Sequence, residues 1–180
     1  MSKIKHLIWL DLEMTGLDIY NCHIIEIAAI ITDSELNVVA ESDAIAIYQP
    51  EEVLAKMDTW CTKTHGESGL TARVRASHIS LEEAEKMILN FIKPHVNKHA
   101  SPLCGNSVWQ DRKFLAKYMP ELEDYFHYRL LDVSSFKIAA SMWKPELVEA
   151  FQKENTHLAL DDIKESIDEM KYYRQKLLNL

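Results

Sequence analysis

Glycine and proline are scarce in this chain, at four and five residues among 180. Long flexible linkers are therefore not expected. One domain over residues 1–180 is, since domains commonly run about 100–200 residues. Cysteine is scarcer still. Cys22, Cys61 and Cys104 are odd in number, widely spaced, and form no C-x-x-C pair. That argues against a disulfide framework and a cysteine zinc site, and a reducing cytoplasm is expected. No apolar run approaches the roughly 18 residues that span a bilayer. The opening MSKIKHLIWLDLEM is basic and then apolar, but carboxylates interrupt it and no small-residue cleavage site follows. No signal peptide is expected. Internal repeats and low-complexity tracts are also lacking. Positive charge is in short supply: 20 lysines and arginines against 28 acids leave a formal charge of -8. This argues against coating long nucleic acid by phosphate neutralisation. It leaves room for a short anionic substrate received by a local positive charge or a metal.

What is present reads as a mixed α/β domain. Residues 7–10, LIWL, form an apolar strand. Residues 23–33 and 36–49 are rich in β-formers, and Asp33-Ser34-Glu35 between them predicts a hairpin turn. The three strands are expected to form an antiparallel meander. Residues 51–79 are mixed, with a short helix over 51–58. Ser80 with Glu83 three residues later is a capping-box signature for the helix that follows. Leu81, Ala84, Ile88, Phe91 and Ile92 then fall on one face. Short strands are expected at 101–106 and 128–135, and helices at 108–119, ended by Pro120, and at 136–143. A last helix over 158–178 has Ile163, Ile167, Met170 and Leu177 on its apolar face. The pattern βββαβαβα implies a mixed β-sheet flanked by α-helices. Sites in open α/β sheets lie at strand ends and the helix starts beside them.

The first strand raises a physical problem. Asp11 and Glu13 follow the apolar run two residues apart. Positions i and i+2 of a strand point to one face, so two like charges emerge together where burial is costly. Lysine, arginine, a proton or a divalent metal could offset them. Asp111, early in the 108–119 helix, and Asp162, in the first turn of the last helix, stand at comparable places. A helix N-terminus favours such an anion. Carboxylate clusters with open positions suit Mg²⁺ or Mn²⁺ rather than zinc. Singly, Asp11 reads as a turn acid, Asp111 as a solvated helix acid and Asp162 as an ordinary helix-start acid. The order is specific: D-x-E, an aspartate about a hundred residues on, then H-x-x-x-x-D. His157 opens that last motif. Its imidazole can take a proton from water near neutral pH, though alone it reads equally as a structural cap.

At these residues the chain resembles the DEDDh 3′→5′ exonucleases of the ribonuclease H-like fold. The resemblance covers essentially the whole chain and rests on WLDLEMTGLD, GNSVWQDRKFL, YRLLDVSS and HLALDDIKESI. It implies that Asp11, Glu13, Asp111 and Asp162 are the catalytic, metal-holding acids and His157 the general base. Asp11 would bridge two Mg²⁺ or Mn²⁺ ions. Glu13 and Asp162 would hold the ion that carries the attacking water, and Asp111 would support the other through water. In-line attack would release a nucleoside 5′-monophosphate from the 3′ end.

Within that family the chain is similar to the branch that acts on RNA dinucleotides and very short oligoribonucleotides. Leu17 and Trp60 match its base-contacting pair, although Trp60 alone reads as a core aromatic. His65, Ser107, Arg129 and Ser134 match a cap on the 5′ phosphate of a dinucleotide. Arginine can bind phosphate bidentately and hydroxyls add neutral donors. Tyr128 would reach the site of an opposing subunit, so a homodimer is implied. A competing reading is a DEDDh exonuclease acting on longer RNA or DNA 3′ ends. A binding domain without activity is a third, but it would be expected to lack one of the acids or the histidine.

Overall fold

A computed structural model describes residues 4–151 and 158–179. Strands β1 (His6–Met14), β2 (Ile24–Asp33) and β3 (Val38–Glu41) come first, then the two-residue β4 (Ile45–Ala46). Helices α1 (Glu51–Leu54), α2 (Thr59–Glu67), α3 (Leu70–Ala76) and α4 (Leu81–Ile92) follow. Strand β5 (Pro102–Gly105) leads into α5 (Trp109–Tyr118) and the short α6 (Pro120–Glu123). Strand β6 (His127–Asp132) leads into α7 (Val133–Trp143), the short α8 (Pro145–Ala150) and finally α9 (Ala159–Lys176). The sheet order is β3-β2-β1-β5-β6, with β4 also paired to β2. β1, β2 and β3 are antiparallel neighbours, while β5 is parallel to both β1 and β6. The mixed sheet expected from the sequence is the one that forms. Among the described residues no helix is long and apolar enough to cross a membrane.

Alternation along β1 sorts the core into two layers. Ile8, Leu10 and Leu12 pack with Ile88 and Ile92 of α4 and Phe114 and Leu115 of α5. Leu7 and Trp9 pack on the other side, with Ala140 of α7 and Ile163, Ile167 and Tyr173 of α9. Each fully buried aliphatic side chain contributes roughly 1.5–3 kcal/mol. The indole N–H of Trp9 donates to Thr32 Oγ1 at 3.0 Å, so its one polar atom is satisfied inside. Asp11 and Glu13 share the parity of Leu7 and Trp9. They therefore emerge on the α9 side of the sheet.

Local chemistry explains where elements start and stop. Ser80 Oγ accepts from the Glu83 N–H, and the Glu83 carboxylate accepts from the Ser80 N–H at 2.8 Å, completing the capping box of α4. The stretch 36–49 is not one strand. Ser42 leaves the ladder, its hydroxyl accepting from the Ala29 N–H at 2.9 Å, and pairing resumes only at Ile45. Within 51–79 the chain makes three helices rather than one, with Gly69 at φ +75° turning α2 into α3. As expected, α5 stops just before Pro120, at Tyr118 with Met119 as its cap, and Pro120 itself opens α6, where its missing N–H costs nothing. The strand expected to reach residue 135 stops at Asp132, whose carboxylate accepts from the Ser134 N–H at 2.9 Å and caps α7.

Ile167 is 2% exposed against β1 on the α9 side. Ile167→Ala is expected to lower unfolding free energy by about 2–5 kcal/mol in urea denaturation. A loss below about 0.5 kcal/mol would contradict the packing described for this layer.

Candidate active site

The open end of β1 is where the acids meet. Asp11, Glu13 and Asp162 each offer a carboxylate oxygen, and the three oxygens lie within 4.8 Å of one another. β1 supplies the first two by its two-residue period. α9 supplies the third from its first turn, above the same face. Asp111 is not part of this triplet. It is buried in the first turn of α5, and its Oδ1 accepts from the Leu12 N–H at 3.1 Å. It is thus tied to β1 between Asp11 and Glu13. His157 lies outside the described residues.

The electrostatics follow from crowding. Burial first, then the charge of Asp111, then Glu13 and Asp162, push the Asp11 carboxyl well above its ordinary range. Burial and the charge of Asp162 push Glu13 up to about 8. Burial pushes Asp111 up to about 7, although the Leu12 N–H pulls against it. All three prefer a proton, or a cation in its place, to standing charged beside one another. Hard oxygen donors at this spacing fit a hard divalent cation.

A cleft of about 540 Å³ opens over the acids. Leu17 and Trp60 line it, at 68% and 57% exposure. Trp60 is thus a cleft-wall aromatic and not a core one. It sits in the first turn of α2, where the Asp58 carboxylate caps the helix by accepting from the Cys61 N–H at 2.7 Å. The Leu17 carbonyl accepts from Gln110 Nε2 at 2.8 Å, which fastens the loop after β1 to α5. His65 lines the cleft from beneath. It is 1% exposed, its Nε2 donates to the Met14 carbonyl at 3.0 Å, and its Nδ1 stands 3.9 Å from Glu13 Oε2. The Trp60 ring meets it edge-on at 6.4 Å.

Ser107 and Ser134 come together elsewhere, at the starts of α5 and α7. Their hydroxyls are 3.0 Å apart, and the Ser107 N–H donates to Ser134 Oγ at 2.8 Å. Tyr128 and Arg129 are exposed on β6, with the guanidinium 5.0 Å from the centre of the Tyr128 ring. Of the four residues expected to cap a phosphate, the structure joins Ser107 to Ser134. It places Arg129 on the neighbouring edge strand and His65 at the acids.

Sequence reasoning missed three supporting residues. Asn106 Nδ2 donates to Ser166 Oγ at 2.9 Å and to Glu169 Oε2 at 3.0 Å, while its Oδ1 accepts from Ser134 Oγ at 3.3 Å. It links the serine pair to α9. Arg112 donates to the carbonyls of His127 and Tyr128 at 3.1 and 3.0 Å and so fixes the backbone of β6. Glu26 accepts from the Ala159 N–H at the start of α9. A signal for Glu26 existed, since it is a charge inside an otherwise apolar strand.

Comparison with known proteins decides the family. An Exonuclease family model of the RNase T type matches residues 8–170. An oligoribonuclease of Francisella tularensis subsp. tularensis (strain WY96-3418) is 60% identical over 180 residues, covering 100% of both chains. The chain belongs to the oligoribonuclease family. A second oligoribonuclease, from Vibrio parahaemolyticus, is 58% identical over 176 residues, covering 98% of this chain and 97% of that one. The fold is shared more widely than the oligoribonuclease family. E. coli exonuclease I, in a zinc-bound complex with single-stranded DNA, superposes with a TM-score of 0.75 at 17% identity. Exonuclease I of Methylocaldum szegediense does so with a TM-score of 0.71 at 16% identity. This chain covers 98% of its own length in the first match but only 42% of that exonuclease, so the likeness shows the ribonuclease H-like fold.

The raised carboxyls make stability depend on pH. A carboxyl raised in the folded state holds its proton more tightly folded than unfolded. Its stabilising effect is present below its ordinary value, near 4.5 for Glu13, and is lost as pH rises through about 8. The melting temperature of the metal-free protein in chelator is expected to fall from pH 5 to pH 9. Glu13→Gln should recover roughly 2–4 °C at the alkaline end, the equivalent of about 1 kcal/mol. Calorimetry that found the variant no more stable than the parent at pH 9 would reject the crowding.

Proposed function

We propose that the chain is a 3′→5′ exoribonuclease that hydrolyses RNA dinucleotides and very short oligoribonucleotides to nucleoside 5′-monophosphates. The observation that carries the reading is the convergence of Asp11, Glu13 and Asp162 at the floor of a cleft walled by an exposed tryptophan. Family membership supplies the reaction class.

Asp11, Glu13 and Asp162 would hold Mg²⁺ or Mn²⁺, with Asp111 as a supporting ligand. Two such cations, when bound, stabilise the attacking and leaving oxygens of a phosphodiester. His157 is assigned the proton of the attacking water, on the strength of the H-x-x-x-x-D pattern alone. Leu17 and Trp60 would sandwich a base, a contact worth about 1–3 kcal/mol and tolerant of sequence. His65, whose Nδ1 stands 3.9 Å from Glu13 Oε2, would face the reacting end. Ser107, Ser134 and Arg129 would receive a terminal phosphate, which closes the substrate path after two nucleotides. The net charge of -8 fits a protein that follows no long phosphate backbone.

The same surface favours a homodimer. β6 is an edge of the sheet, with Tyr128 on it 71% exposed, and Ile138, Met142 and Trp143 of α7, the helix that follows it, are 60–71% exposed. Exposed apolar side chains of this size are candidates for burial against a partner. A second copy packed here would bring its Tyr128 toward the cleft. The three free thiols fit a cytoplasmic setting.

Two experiments test these points. With Mn²⁺, single-turnover hydrolysis of a 5′-phosphorylated two-mer is expected to outrun that of a seven-mer. Asp11→Asn should slow it by roughly three orders of magnitude, about 4 kcal/mol of barrier. Preference for the seven-mer would move the protein to the long-substrate reading. For the assembly, Met142→Glu with Ile138→Glu is expected to convert a dimer to a monomer in analytical ultracentrifugation and to cost dinucleotide turnover. A parent chain that sediments as a monomer at micromolar concentration would refute the dimer.

A further inference from the structure

Glu26 is a buried charge that the proposed chemistry does not use. It lies near the start of β2, its third residue, at 0% exposure. Its register partner on β1 is Glu13, so both side chains lie on the α9 face of the sheet. Both of its oxygens are engaged. Oε1 accepts from the Arg73 guanidinium of α3, and Oε2 accepts from the Ala159 N–H at 3.1 Å.

The second bond lies at a weak point. Ala159 is the first residue of α9, and the first N–H groups of a helix have no partner within it. Such groups are usually met by a capping side chain. Leu158 occupies the cap position and cannot supply one. A carboxylate reaching across from β2 takes its place, 133 residues away in sequence. Three residues beyond Ala159 stands Asp162, which must approach Asp11 and Glu13 against their repulsion. Arg73 is 41% exposed and offsets the charge of Glu26 from the solvent side.

We propose that Glu26 is a positioning residue: it clamps the start of α9 to β2 and so sets Asp162 against Asp11 and Glu13. The proposal rests on the reading that these acids hold a divalent cation. It adds that their spacing is imposed before any cation arrives, by a hydrogen bond to backbone. The acceptor matters more than the charge. Glutamine at this place can still accept from Ala159, and Arg73 can turn to water. Methionine of similar length can do neither.

Amide exchange followed by NMR in the metal-free protein tests the clamp directly. The Ala159 N–H is expected to exchange about a hundredfold more slowly than an open helix-start amide. Free exchange there would overturn the clamp, whether or not any variant folds. Titration calorimetry with Mn²⁺ tests the positioning. Glu26→Met is expected to weaken binding at least about tenfold, and Glu26→Gln to hold it within about threefold, the range typical of residues that orient metal ligands. Parent-like affinity in Glu26→Met would overturn the positioning role, and equal weakening in both variants would overturn the acceptor. A parent protein that bound no Mn²⁺ while Ala159 stayed protected would reject the metal site and leave the clamp standing.

Discussion

Carboxylates repel, and a protein that gathers them in a shielded place must hold them there by other means. Asp11, Glu13 and Asp162 converge within 4.8 Å, with Asp111 buried behind them. The strand period puts Asp11 and Glu13 side by side, but nothing local brings Asp162 to them. The force that does is hydrophobic and remote. Leu7 and Trp9 below the acids, and Ile163 and Ile167 beside Asp162, are buried in one layer. Burial of that apolar surface, at roughly 25 cal/mol per Å², outweighs the repulsion it imposes. The result is a site that prefers protons or cations by construction.

The rest of the cleft is arranged around that floor by fixed backbone contacts. His65 holds α2 to the end of β1 and puts Trp60 on the wall. Gln110 holds the loop that carries Leu17. Asn106 ties the paired serines at the far side to α9. Trp60, the loop carrying Leu17 and the paired serines are thus each braced by a neighbouring side chain. Preorganisation of this kind lets a short substrate bind without spending its affinity on ordering the protein.

Much of this was legible in the chain. The switch from LIWL to D-x-E marked a strand that ends in a site, because a two-residue period leaves no other place for the two acids. Ser80 and Glu83 announced the start of α4 through their reciprocal hydrogen bonds. The apolar face of the last helix held for Ile163, Ile167 and Met170. Less legible was the region 51–79, where three short helices have weak periodicity and depend on Asp58 and Gly69 to punctuate them. Pro120 marks the end of α5 as its chemistry requires, but that it also begins α6 is not visible from the proline alone. His65 matches the phosphate-capping set by motif, while its contacts with Met14 and Glu13 place it in a neighbourhood that spacing cannot convey.

The sequence by itself determined the chemistry on offer: which acids exist, that two of them share a strand face, and that one opens a helix. Those facts depend on covalent spacing and on the periods of strand and helix, which hold in any fold. The tertiary structure alone decided which acids meet. Asp162 joins Asp11 and Glu13 while Asp111 is drawn aside to the Leu12 amide. Glu26 reaches the head of a helix 133 residues away. Such contacts arise from the order of strands in the sheet and the packing of α9 across it. They are long-range consequences of burying one apolar layer, and no local rule contains them.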